Sequence, residues 1–546
     1  MFLALPMVVK QHIPKESIAV GTMRLGSSPS LREFVRSCSQ SAGLPALAAL
    51  DLLLLAAEAA GPDLLRPSDA VVPIGVSLIV ILAGLGIGRV FSRETTAISL
   101  IAVLLMLGFG TFGDVAEALR KSGSLWLIGS EPGLAVLYFL IFVGPALAIS
   151  RRPRSLPTWS GYTRTFLIVL AALAIFRFTR EALRSLPPPI RSDIAANGPT
   201  SGRPPDIWFL LVDKYSSSDE LHRIYGLDNR PFETWLRTRG FLLPVGQRTN
   251  YPQTFLVLAS LLNLRYLDDY AERYRGRSRL AAVPDIRNNR LVAFLRTKGY
   301  RFVFAPSAFD VARQNPYADE QLPSPAEVRP ELQVLWDRNT ALPALRALAC
   351  WVEGCSVYQP PYPPESAAAV ETKLAALGKL APERPTFVFA HILLPHEPYI
   401  YHADCSRRAP YWPESDSGDD AEAQRDAYRE QVTCTNRKLM SLVTAIQRNA
   451  HAPPVILIQS DHGHGRLGRP VPPLQESSAD GVEERLSPFA AYALPGLPPD
   501  SLYPGISPVN VMRLVLRHYF GAALPPLEDR IYWSTTSSPF EFTRLR

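Results

Sequence analysis

Cysteine is scarce in this chain: five residues in 546, with no Cys-x-x-Cys pair, which argues against a cysteine-built zinc site. Dense Lys or Arg blocks are also missing, and the net charge of +7 is spread thinly, so no nucleic-acid partner is expected. No signal peptide with a cleavage site is evident. Residues 1–40, with Lys10, Lys15, Arg24, Arg32 and Arg36, read as a basic cytoplasmic lead. Proline, by contrast, is abundant at 51 residues, mostly in the later part of the chain, and points to many loops. Hydrophobic residues make up 47%, and they concentrate before residue 183.

Five apolar stretches lie there, at roughly 43–61, 71–91, 96–113, 132–150 and 163–180, each near the ~20 residues a helix needs to cross a bilayer. Residues 41–183 therefore read as about five transmembrane helices. An intramembrane carboxylate is costly, so Asp51 in the first should face other helices or an interface. The Gly84-Leu-Gly86-Ile-Gly88 run falls inside the second stretch and reads as helix packing. The basic lead, the Arg89/Arg93 link and the Arg151-Arg152-Pro-Arg154 link all fall on one side. Asp63, Asp69, Asp114, Glu117 and Glu131 fall on the other. Positive-inside orientation then places everything after about 185 outside the cytoplasm.

Residues 184–205 form a proline-rich linker, and 206–546 read as a globular domain. Strands are expected at Asp206–Val212, Tyr300–Ala305, Thr386–His391 and Val455–Gln459. Helices are expected at Pro231–Arg239, Phe255–Leu264, Leu291–Lys298, Ala367–Leu380 and Tyr428–Asn449. Such alternation implies an α/β domain, a mostly parallel sheet with helices on both faces. Residues 401–425 read as an exposed excursion. Cys405/Cys434 and Cys350/Cys355 are candidate disulfides if the domain lies outside, with Cys38 left unpaired.

The strand at Val455 delivers Asp461 and His462 side by side at its C-terminal end, where open α/β sheets place ligands. A carboxylate and an imidazole there suit a divalent metal such as zinc or manganese, although a polar turn has the same composition. Asp213 ends another strand, and His391 and His396 end a third. Thr254 follows the Asn250-Tyr-Pro-Gln turn and opens a helix. It is either a helix cap or, beside a metal, a nucleophile whose helix N-terminus receives an anion.

Four motifs occur in order: Pro205-Asp-Ile-Trp-Phe-Leu-Leu-Val-Asp213, Asn250-Tyr-Pro-Gln-Thr254, His391-Ile-Leu-Leu-Pro-His396-Glu-Pro-Tyr and Gln459-Ser-Asp461-His462-Gly. Together with Tyr428, Gln431, Asn436 and the Leu502–Asn510 stretch, they resemble membrane-anchored sulfatase-like proteins of the alkaline phosphatase superfamily. The resemblance implies a bacterial-type inner-membrane protein with an alkaline phosphatase-like extracytoplasmic domain. It further implies one divalent metal ion, zinc, manganese or calcium, on Asp213, Thr254, Asp461 and His462. Thr254 resembles the nucleophile of lipoteichoic acid synthases and phosphoethanolamine transferases, and His396 the histidine that holds the phosphoryl group or assists the leaving group. Asn250, His391 and His464 are further candidates for substrate contact. His391 also reads as a core histidine and His464 as a solvated turn residue.

The chain departs from true sulfatases in having no Cys or Ser within a C/S-x-P-x-R sequence, and Lys214 stands where they carry a second Asp. The expectation is therefore phosphoester head-group cleavage or transfer, with the bilayer and a lipid-linked or envelope glycan substrate as partners. Plain sulfate- or phosphate-ester hydrolysis and an inactive envelope scaffold are the alternatives.

Overall fold

The computed structural model describes residues 41–60, 67–121, 155–184, 192–196, 204–276, 279–323, 331–346, 366–411, 419–465 and 471–546, with the isolated positions 141, 145 and 148. The basic lead, the fourth apolar stretch, most of the linker, and Cys38, Cys350 and Cys355 lie outside these residues.

Among the described residues, four apolar helices occupy the N-terminal part: α1 (Gly43–Ala60), α2 (Val71–Phe91), α3 (Thr95–Lys121) and α4 (Leu156–Arg184). Three of them, within α2, α3 and α4, are long and apolar enough to cross a membrane, whereas the apolar run of α1, Gly43–Ala57, is shorter. Their outer faces carry large exposed apolar side chains, including Leu78, Ile79, Leu82, Phe166, Val169 and Phe176. A surface of that kind is stable against lipid and not against water. Gly84 and Gly88 do serve packing: a Cβ on either would come within 3.1 Å of Ala102 or Ile98 on α3. Gly86 faces open space. Asp51 is buried inside the bundle.

The α/β part is a seven-stranded sheet built from β1 (Ile207–Asp213), β2 (Phe241–Leu242), β3 (Arg301–Ala305), β4 (Glu320–Gln321), β5 (Thr386–Pro395), β8 (Val455–Ser460) and β9 (Ala490–Ala493), in the order β2-β9-β8-β1-β5-β3-β4. The central strands β8, β1, β5 and β3 run parallel, and β9 is antiparallel to β8. Strand β1 is buried on both faces, as its Ile-Trp-Phe-Leu-Leu-Val run requires. Ile207, Phe209 and Leu211 pack on one side against α7 (Thr254–Asn263), α8 (Arg290–Thr297) and α13 (Pro508–Phe520). Trp208, Leu210 and Val212 pack on the other against α5 (Ser218–Tyr225), α6 (Arg230–Thr238), α10 (Ala367–Lys379) and α11 (Asp419–Asn449).

The expectations around the long helix change. The long helix starts at Asp419, not Tyr428, and residues ahead of it form the hairpin β6 (Tyr399–Tyr401) with β7 (Arg407–Tyr411), so 401–425 is not simply an excursion. The acidic, alanine-containing stretch Asp419-Asp-Ala-Glu-Ala has good helix formers and suits a helix N-terminus, a signal masked by the prolines before it. A helix beyond those expected, α9 (Glu331–Asn339), packs on the helix bundle. Leu332 and Trp336 enter the core of the helix bundle, and Ala341 N donates to Phe109 O at 2.8 Å. Cys405 and Cys434 are joined as a disulfide, tying the β6–β7 hairpin to α11.

Candidate metal centre

Parallel strands β1 and β8 are neighbours, so their C-terminal ends bring Asp213 and Asp461 together across the sheet. The β1–β5 register shifts between Val212 and Asp213, which pairs Asp213 with Pro395 and places the His396 turn beside it. Asp461 is held rigidly. Its Oδ1 accepts from the backbone N–H groups of His462 (2.8 Å) and Lys214 (3.1 Å), and its carbonyl accepts from Thr249 Oγ1 (2.6 Å). Oδ2 is thereby left pointing away from these donors. That oxygen and Asp213 Oδ1 are both buried and have no hydrogen-bond partner among the described residues.

His462 completes the cluster. Its Nδ1 lies 2.9 Å from the Gly463 carbonyl, which can only accept, so Nδ1 carries the ring proton. Nε2 then presents a lone pair, 3.1 Å from Asp461 Oδ2 and 3.3 Å from Thr254 Oγ1. One ligand atom each from Asp213, Asp461 and His462 lie within 4.8 Å of one another. Three electron-rich atoms in so small a buried space repel one another unless a cation or protons sit between them. Burial first, and then Asp213, push the Asp461 carboxyl up to about 7; burial likewise raises Asp213. Burial and the nearby Arg485 hold His462 well below its ordinary value, hence neutral. Two carboxylate oxygens and one neutral imidazole nitrogen, all buried and two of the atoms orphaned, fit a divalent metal.

Thr254 opens α7 as expected, with Gln253 in an extended conformation before it, so its hydroxyl sits at a helix N-terminus on the edge of the cluster. Arg485, at the end of α12 (Ala479–Arg485), ties the two halves together. Its Nε donates to Pro252 O (2.8 Å) and its Nη1 to His464 O (3.3 Å), linking the Thr254 turn to the ligand loop. Gly463 is obligatory in that loop, because a Cβ there would lie 1.9 Å from Glu484 O.

The remaining candidates fall in different places. His391 is fully buried: Nε2 lies 3.3 Å from Asp213 Oδ2 and Nδ1 2.8 Å from Ser307 Oγ, so it adjoins a candidate ligand while sitting in the core. The His396 side chain is 23% exposed, and its turn is pinned by Gln431 Nε2, which donates to the Pro395, His396 and Pro398 carbonyls. Asn250 Nδ2 donates to Arg530 O at 2.8 Å, fastening the C-terminal segment. His464 is not solvated: Tyr225 and Tyr399 hydroxyls lie 3.2 and 3.0 Å from its two ring nitrogens, and burial pushes it down to about 3. The glycines around it suggested an open turn, but the tyrosines come from distant segments. Lys214, Glu397, Ser307 and Arg485 were not singled out as site residues in the sequence. Lys214, adjacent to Asp213, and Glu397, adjacent to His396 within the quoted motif, carried a visible signal.

Fold and centre together define an α/β protein with apolar helices and a buried Asp-Asp-His cluster facing a threonine. No protein-family profile matches the chain, and neither does any curated protein. Among solved structures, the chain is similar to the integral membrane lipooligosaccharide phosphoethanolamine transferase A from Neisseria meningitidis, with 12% identity over 89% of this chain and 96% of that one (TM-score 0.39). It is also similar to the zinc complex of the C-terminal periplasmic domain of EcEptC from Escherichia coli, with 11% identity over 65% and 96% (TM-score 0.41). A 2-O GAG sulfatase matches at 13% identity over 59% and 72% (TM-score 0.36).

Proposed function

We propose that this protein is a membrane-anchored, metal-dependent enzyme that cleaves or transfers a phosphoester head group outside the cytoplasm, with Thr254 as nucleophile. The observation that carries this reading is the convergence of Asp213, Asp461 and His462 on one buried point, with Thr254 Oγ1 3.3 Å from His462 Nε2. Asp213, Asp461 and His462 would hold the metal, with Thr254 as a fourth ligand. Zinc or manganese suits a set that includes imidazole, whereas calcium prefers six to eight oxygens. When bound, the cation supplies charge that lowers the hydroxyl pKa of Thr254 and offsets the phosphoryl oxygens.

The chain's own residues do the rest. Thr254, its hydroxyl proton lost to solvent before the attack, adds through Oγ1 to phosphorus in line with the leaving oxygen, and the N-terminal end of α7 faces the phosphoryl group. His396, part-exposed beside Asp213, gives a proton to the leaving oxygen. The phospho-threonine then passes to water or to a glycan hydroxyl. Crossing helices confine the site close to the bilayer, which favours a lipid donor or an envelope acceptor and an extracytoplasmic position for residues after about 185.

The test is metal content of the full-length protein in detergent, wild type beside Asp461→Ala, with mass spectrometry for a phospho-adduct on Thr254. About one metal per chain, lost in the variant, supports the reading. No metal after reconstitution with zinc or manganese overturns it in favour of a scaffold.

A further inference from the structure

Lys214 directly follows the ligand Asp213, yet its backbone is left-handed, with φ 59°, where glycine is the favoured residue. The peptide is locked there: its N–H donates to Asp461 Oδ1 and its carbonyl accepts from Tyr428 Oη at 2.7 Å. A strained lysine at such a position calls for a reason in its side chain. The ammonium reaches across to the turn that follows β5, where Nζ lies 2.8 Å from Glu397 Oε1, with both side chains largely buried. The other oxygen of that carboxylate, Oε2, lies 3.5 Å from His396 Nδ1, which also faces the Glu397 carbonyl. A nitrogen facing two acceptors carries the proton, so the reactive nitrogen of His396 is Nε2.

We propose that Lys214 and Glu397 are a buried positioning pair for His396. This rests on the reading of His396 as the proton donor given above. Glu397 fixes the ring orientation and steadies the imidazolium. Lys214 neutralises Glu397, so that no third net negative charge is added beside Asp213 and Asp461. In the first half-reaction Thr254 enters as the alkoxide, its hydroxyl proton already lost to solvent; the Thr254 Oγ1–P bond forms and the P–O bond to the leaving group breaks, while the Nε2 proton of His396 passes to the departing oxygen. In the second, the acceptor hydroxyl loses its proton to Nε2 as its oxygen attacks phosphorus and the Thr254 Oγ1–P bond breaks. Asp213 on β1 and His462 and His464 on the loop after β8 also lie within electrostatic reach of His396, and they are the same in every variant below.

The test uses the metal-loaded full-length protein in detergent, with Glu397→Gln, Lys214→Gly and His396→Ala. Glycine suits the left-handed backbone, so Lys214→Gly removes the ammonium without straining the chain. On a phenyl phosphodiester, whose poor leaving group needs a proton, Glu397→Gln lowers kcat about tenfold to a hundredfold. On the p-nitrophenyl analogue, which leaves unaided, the loss is several-fold smaller. Metal content stays at the wild-type level in both. Equal losses on the two substrates, or loss of metal, overturn the pairing. If the wild type turns over neither substrate, the failure belongs to the proposed function. The pair is then read by NMR titration of the His396 ring, assigned among nine histidines through His396→Ala. Its pKa falls by about 1 in Glu397→Gln and rises in Lys214→Gly, because the two variants change the local charge in opposite directions. An unmoved His396 resonance in both overturns the proposal.

Discussion

Carboxylates are buried in two regions of this molecule under different conditions. In the helix bundle Asp51 stands in an apolar interior, and neither of its oxygens has a hydrogen-bond partner among the described residues. At the sheet edge Asp213 and Asp461 also keep one orphaned oxygen each, but they face each other, a neutral histidine and a threonine. An orphan acceptor alone marks only a group whose burial is unfavourable. Convergent orphans, with the other oxygen of Asp461 fixed by backbone donors and that of Asp213 set beside His391, have the geometry that suits a cation. The difference is one of geometry, since both regions bury carboxylates equally well.

The strongest way to break the comparison is at the sheet edge. Thr254→Ala is expected to lower turnover on the order of 10⁴-fold while retaining metal, and Asp461→Ala to lose both. Parallel turnover and metal assays check this, and metal retained in Asp461→Ala would count against the centre. A second effect is on stability. Because Asp461 is raised from 3.8 to about 7, the metal-free folded state binds more protons than the unfolded state across that window. Stability of the metal-free protein therefore falls as pH rises from about 4 to about 7, by up to a few kcal/mol, and loading with metal flattens the profile. Thermal melts across pH, with and without chelator, measure it.

The disulfide offers a control away from the centre. Replacing Cys405 and Cys434, 29 residues apart, with alanine should remove about 2–4 kcal/mol of stability, read by denaturant melts, and leave metal content unchanged. Gly463→Ala sharpens the point about the ligand loop. Its Cβ has to displace Glu484 O, so a loss of about 1–3 kcal/mol together with weaker metal binding is expected. The smallest effect belongs to the bundle: Asp51→Asn should leave metal content and turnover as they are and change stability by about 1 kcal/mol or less. Loss of turnover in Asp51→Asn, at full metal content, would dissolve the contrast between the two regions.

Much of the site was legible because its residues end strands. Asp213, Asp461 and His462 each follow a short apolar run, and parallel pairing of β1 with β8 brings such ends together. Thr254 was readable as a helix start. His464 was not readable as buried, because the residues that cover it, Tyr225 and Tyr399, lie 239 and 65 positions away. Arg485 escaped for the same reason. Nothing local distinguishes a charged residue that will be buried by distant partners from one that stays in water.

Hydropathy alone settled that apolar helices precede an α/β domain, since bilayer-length runs and strand–helix alternation are properties of consecutive residues. The docking of α9 into the bundle, the tyrosine enclosure of His464 and the Lys214–Glu397–His396 contact were decided only by tertiary structure. Each depends on which surfaces meet across long separations, and burial energy is shared among many residues instead of being written at any one of them.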